Sequence, residues 1–106
     1  MSERPPSRMD LLATLRAHQS ELQADGVEAI TVFGSVARDD PAASDVDLAI
    51  RSGPGFSSGG FDYFGRLDAL RERLIQLLGC SVDLVEEGSA GPRLKEIIAR
   101  EGMRAF

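Results

Sequence analysis

Residues 27–33, Val-Glu-Ala-Ile-Thr-Val-Phe, limit what this chain can fold into more than any other stretch. β-Branched and aromatic side chains suit a pleated strand. Here the apolar ones fall on both faces, as in a strand covered from above and below. Such a strand needs strand neighbours and helices on each side, and the rest of the chain must supply both.

It does so in order. Ser7 reads as a helix N-cap with Asp10 three residues on in a capping-box arrangement. Leu11, Leu12, Leu15 and Leu22 come next at roughly helical spacing, and Gly26 suits the position just past a helix end. Gly34-Ser35 breaks the first strand, and a short turn, 36–38, leads into a polar loop, 39–44. Asp45 to Ile50 predicts a second strand; the Gly-, Ser- and Pro-rich stretch 51–60 predicts a flexible loop. A long helix is expected over 62–78, with Phe64, Leu67, Leu70, Leu74, Leu77 and Leu78 on its apolar side and Gly79 as its stop. Ser81 to Val85 predicts a third strand. Pro92 opens a last helix with Leu94, Ile97 and Ile98 inward, Gly102 ends it, and the tail could add an edge strand. The pattern predicts an α/β (α+β) domain, residues 8–106, with a small mixed β-sheet packed by helices, after a flexible N-terminus, residues 1–7.

Composition narrows the function. With 12 basic against 17 acidic residues, a net charge of −5 and a pI near 4.8, the chain is a poor stand-alone nucleic-acid binder, which needs a basic track. No apolar run approaches the ~20 residues that span a bilayer, and 1–8 lacks an apolar signal-peptide core. The single cysteine, Cys80, cannot form an internal disulfide, and its apolar surroundings suggest a reduced, buried thiol in a cytoplasmic protein. His18, with no second histidine or nearby cysteine, reads as a surface residue rather than a ligand.

Three features carry chemistry. Gly34-Ser35 comes directly after a buried strand, and glycine lets a ligand approach the backbone while the next helical turn and a hydroxyl suit phosphate. In Ser44-Asp45-Val46-Asp47-Leu48, side chains alternate, so Asp45 and Asp47 share one face of a strand. Two like charges so close repel unless a cation sits between them, and Mg²⁺ takes one or two carboxylates with phosphates and water. Asp83, in Ser-Val-Asp-Leu-Val, joins them if its strand lies beside the second. Each has a plainer alternative: a mere turn, a solvated edge strand, an exposed acid.

Taken together, Gly34-Ser35-x-x-Arg38, Ser44-Asp45-x-Asp47-Leu48 and a later Asp83 resemble the minimal nucleotidyltransferases of the polymerase-β-like superfamily, over about residues 8–106. Asp39 stands where the family often has glycine, and 53–60 is a long insertion-like stretch. The resemblance implies transfer of AMP from ATP to a hydroxyl with two Mg²⁺ ions held by Asp45, Asp47 and Asp83. Asp83 would sit on the nucleophile side. Gly34, Ser35, Arg38 and Ser44 would bind the nucleotide; the bland alternative for Arg38 is an ion pair with Asp39 or Asp40. The resemblance further implies a helical HEPN toxin as partner, modified on a tyrosine, with this chain as antitoxin. Two other readings remain open on the sequence: an antitoxin that neutralises its partner by binding alone, and an enzyme acting on a small molecule such as an aminoglycoside.

Overall fold

The computed structural model describes residues 7–38, 45–57 and 62–106. Helix α1, Arg8–Ala17, starts at Ser7, whose hydroxyl accepts the Asp10 N–H at 3.2 Å. The expected single N-terminal helix is in fact two. The chain bends at His18, and α2, Gln19–Ala24, continues from there. His18, at φ −104° and ψ 14°, leaves the helical conformation, and Leu15 and Leu22 on either side of it are both buried. His18 is half-exposed, with Nδ1 3.2 Å from Glu21 Oε2, as a surface histidine should be.

Gly26 then takes a φ of 102°, in the left-handed region where a side chain is strained, and turns the chain into β1, Val27–Phe33. After β1 come a one-turn helix α3, Gly34–Ala37, and strand β2, Val46–Ser52. Of the stretch expected to be loop, 51–60, residues 58–60 lie outside the described residues, and the rest holds regular structure. Arg51 and Ser52 extend β2, because the strand keeps its pairing with β1, and Pro54–Ser57 forms a short helix α4. Phe56 from α4 is buried, which pins this segment down despite its turn-rich composition. Helix α5, Asp62–Leu78, strand β3, Val82–Glu86, helix α6, Pro92–Glu101, and a two-residue strand β4, Met103–Arg104, complete the chain.

The four strands form one mixed sheet in the order β3-β2-β1-β4. β1 is antiparallel to β2 and β4, whereas β2 and β3 are parallel, joined through α5. The tail is stitched to β1 beyond β4. Ala105 N–H donates to Ile30 O at 2.8 Å, and the Arg16 guanidinium of α1 donates to Ala105 O at 2.8 Å.

The two faces of the sheet are covered unequally. Val46, Leu48, Ile50, Val32 and Val82 pack with Leu11, Leu15, Leu22, Leu70 and Leu74 from α1, α2 and α5 into the main core. Burying each such side chain contributes roughly 1.5–3 kcal/mol. The other face carries a small cluster, Phe33, Ala49 and Ile98, flanked by Val85, Leu94 and Ile97, so α6 alone covers it among the described residues. Phe64 departs from expectation. It lies 76% exposed, because at 100° per residue it falls about 120° and 80° round the helix from Leu70 and Leu74, the buried stripe of α5. Cys80 is half-buried rather than buried, since it sits in the turn after α5 and not under it. Among the described residues no helix is long and apolar enough to cross a membrane.

Two glycines test this packing. A Cβ on Gly102 would press on Ile98 O and on Thr31 Cγ2, whereas one on Gly65, within α5, would meet nothing within 4 Å. Gly102→Ala should lower stability by about 1–3 kcal/mol, and Gly65→Ala should raise it by about 0.5–1 kcal/mol, both read from urea unfolding.

Candidate active site

β2 pairs in register with both neighbours, and the register gathers the acids. Asp47 lies opposite Phe33 of β1 and beside Asp83 of β3. Paired residues share a face, so Phe33, Asp47 and Asp83 form one row across the sheet. Thr31, Ala49 and Val85 form the next row. α6 packs against Phe33, Ala49 and Val85, and among the described residues no apolar side chain of that cluster reaches over the acids. Asp45 is the bend residue immediately before β2 and is exposed. Ser44 lies outside the described residues.

Gly34 is built around Asp47. Its φ is 77°, and a Cβ there would fall on Asp47 Oδ2. The glycine expected to let a ligand approach therefore also admits the neighbouring carboxylate, a role the sequence did not suggest. Ser35 comes next, half-buried, in the first turn of α3. Arg38, the C-cap of α3, has an ion-pair partner among the described residues: its Nη1 is 2.9 Å from Glu101 Oε2 at the end of α6. Asp39 and Asp40 lie outside the described residues.

The electrostatics stem from this placement. The Asp47 carboxyl is held above its ordinary value, first by burial and then by the charges of Asp83 and Asp45, with Arg38 pulling the other way. The Cys80 thiol is likewise pushed up, by burial and by the charge of Asp45, which keeps it protonated and a weak nucleophile. Among the described residues no three His, Cys, Asp or Glu side chains are drawn together as a ready-made metal cage. The donor set at this end of the sheet is a half-buried carboxylate with a second beside it, hard oxygens in need of a positive counterpart. That fits Mg²⁺, which takes one or two carboxylates and fills its remaining positions with phosphate and water.

Two contributors escaped sequence reasoning. Phe33 reads as ordinary core, and only the register reveals that it stands beside Asp47. Glu101 is 63 residues from Arg38, beyond any local spacing rule.

A profile for the nucleotidyltransferase domain matches residues 12–104. The chain belongs to the nucleotidyltransferase domain family. Among solved structures, one described as a minimal nucleotidyltransferase is 35% identical, with a TM-score of 0.66 over 87% of this chain and 93% of that one. At that identity and coverage this nucleotidyltransferase falls with the minimal members. A toxin–antitoxin complex with AMP-PNP matches at 23% identity and TM-score 0.64, over 86% of this chain and 72% of its own. A complex of tri-AMPylated HEPN toxin with MNT antitoxin, from Shewanella oneidensis, matches at 20% identity and TM-score 0.63, over 91% and 71%. These two share the fold with the nucleotidyltransferase. A comparison with curated protein sequences finds no match.

The raised Asp47 carboxyl makes a stability prediction. The folded chain keeps this proton at a pH where the unfolded chain has released it. Its contribution is therefore complete below the ordinary Asp value of about 3.9 and is lost as pH rises through the raised one. In metal-free solution Asp47→Asn should fold normally and unfold at higher urea than wild type at pH 7. The advantage should vanish at about pH 3, where both states of the wild type are protonated. A lower midpoint at pH 7 would make Asp47 a structural acid.

Proposed function

We propose that this nucleotidyltransferase transfers AMP from Mg-ATP to a hydroxyl, most simply a tyrosine, of a helical HEPN toxin, and serves as that toxin's antitoxin. The observation that carries the reading is the Asp47–Asp83 pairing. Two acids held abreast at one end of the sheet, one of them desolvated, repel each other and suit a cation-bound phosphate. The solved complexes of the same fold supply the partner. One contains an AMPylated HEPN toxin with an MNT antitoxin, and another contains AMP-PNP. This chain spans nearly three quarters of the matched chain in each, 71% and 72%.

In this reading Asp45 and Asp47 hold the Mg²⁺ ions, with Asp83 on the side of the attacking hydroxyl. Bound Mg²⁺ would polarise the phosphates and stabilise the attacking and leaving oxygens of an in-line displacement. The chain's own residues do the rest. Gly34, which carries no side chain, lets the triphosphate lie against the backbone at the start of α3, and the Ser35 hydroxyl and Ser44 hold its phosphate oxygens. Arg38 offsets phosphate charge. Asp83 accepts the acceptor's proton as the hydroxyl oxygen bonds to the α-phosphorus. The bond from that phosphorus to the bridging oxygen breaks, and pyrophosphate leaves with the electron pair.

The dependence on a partner has a physical basis. Among the described residues α6 is the only helix over the acidic face, and nothing there builds a second wall for an acceptor. A protein that brings its own hydroxyl to the open sheet end supplies that wall. An anionic site is also compatible with a cationic small molecule, so the experiment must offer both.

The chain, incubated with Mg-ATP and its co-purifying helical partner, should add one or more AMP units to the partner, as seen in intact mass. Asp47→Asn should slow this by more than ~100-fold. A partner that binds tightly but never gains mass would point to neutralisation by binding alone. AMP transfer to an aminoglycoside, with the partner untouched, would move the reading to small-molecule modification.

A further inference from the structure

The Arg38–Glu101 pair joins two elements that otherwise meet only side by side. Arg38 closes α3, the turn that begins with Gly34-Ser35, and Glu101 closes α6, the helix that covers the acidic face. Arg38 lies four residues after Gly34 and donates its N–H to Gly34 O at 3.2 Å, so it stands one turn above the glycine. From there its charge acts on Asp47, the carboxylate against Gly34, and favours that group's ionised form.

Left alone, a 52% exposed arginine at a helix end would sample many rotamers. Glu101 is better shielded, at 27%, and takes Nη1 in a 2.9 Å charge-assisted bond. A guanidinium has five N–H donors. One engaged by Glu101 leaves others to meet phosphate oxygens. Glu101 is itself held in place by the glycine after it. Gly102 N–H donates to Ile98 O at 2.8 Å, and a Cβ at Gly102 would meet both Ile98 O and Thr31 Cγ2. The end of α6 is therefore pressed onto β1, which gives the carboxylate a fixed origin.

We propose that Glu101 is a positioning residue for nucleotide binding: it holds the Arg38 guanidinium over the mouth of α3 so that the arginine meets an incoming triphosphate preorganised. The proposal rests on the nucleotidyltransferase reading and adds a residue to it. Glu101 touches no substrate and acts through Arg38. Preorganisation acts by sparing the ordering of one flexible side chain on binding, which corresponds to about 3- to 10-fold in affinity. A solvent-exposed ion pair contributes little to folding, so its loss should be felt in binding rather than in stability.

The test is a double-mutant cycle on Mg-ATP affinity by calorimetry, with the full chain as wild type, Glu101→Gln, Arg38→Ala and the double variant. Urea midpoints are measured on the same samples. Glu101→Gln should weaken Mg-ATP binding about 3- to 10-fold with an unchanged midpoint. The same change made in Arg38→Ala should have no further effect. In transfer assays Glu101→Gln alone should raise KM for ATP while leaving kcat near wild type. Several results overturn the proposal: additive losses, tighter binding in Glu101→Gln, which would make Glu101 a competitor for Arg38, or a lowered midpoint with unchanged affinity. Wild-type chain that binds no Mg-ATP would overturn this inference and the parent reading together, whereas wild-type binding with no effect at Glu101 would overturn only the inference.

Discussion

Everything at the candidate site depends on the register in which β2 pairs with β1 and β3. Side chains along a strand alternate between faces, so a slip of one residue would turn Asp47 into the main core and Val46 or Leu48 toward solvent. The slip is forbidden by burial. Val46, Leu48 and Ile50 are each fully buried against α1, α2 and α5, and reversing them would expose all three while burying unpaired charge. The apolar side of the sheet thus fixes the position of the acids on the other. Stability and chemistry are set by the same alternation.

The remaining geometry adapts to that fixed row. Because Asp47 is locked opposite Phe33, the next residue along β1 must turn away tightly without a side chain, and Gly34 does so with its Cα against the carboxylate. That turn begins α3, whose last residue meets the end of α6 through Glu101. The parallel pairing of β2 with β3 places Asp83 beside Asp47 at no local cost in conformation. The cost is electrostatic, and it appears in the Asp47 carboxyl, which burial and its two acidic neighbours hold above the ordinary range. A cation-bound phosphate would relieve it. In this respect the acids are set against one another, as expected where function sets the residues rather than stability.

How much of this the sequence disclosed depended on range. Strand β1 and helix α5 were legible to their boundaries, because VEAITVF has the composition of a buried strand and Gly79 stops a long amphipathic run. The last helix and its edge strand were legible too, through Pro92 and Gly102. The alternation in Asp45-Val46-Asp47 and Val82-Asp83-Leu84 named the acids, and the conditional step, that the third strand lies beside the second, is met by the parallel pairing. What could not be read was tertiary. The break at His18 leaves no mark in the spacing of Leu15 and Leu22, which would share a face of one unbroken helix as well. The ordered stretch at Arg51 and Ser52 comes from continued pairing, and Phe56 is held by packing that its Gly- and Ser-rich context conceals. Phe64 comes near the core leucines in sequence but falls to one side of their stripe on the helix, where it is exposed. The partner that Arg38 has among the described residues, Glu101, comes from the far end of the chain, beyond the reach of local spacing.

The central claim, that the end of the β1–β2–β3 row carrying Asp47 and Asp83 is a divalent-cation and phosphate site, is tested most directly by paramagnetic broadening of backbone amide signals. Substoichiometric Mn²⁺ would be added to the chain together with a non-hydrolysable ATP analogue. The account predicts that signals of Gly34, Ser35, Asp45 to Asp47 and Asp83 broaden first, with the effect fading along β2 toward Ser52. Broadening centred instead on the acids at the other end of the sheet, Glu86 and Glu87, or no localised broadening at all, would contradict it.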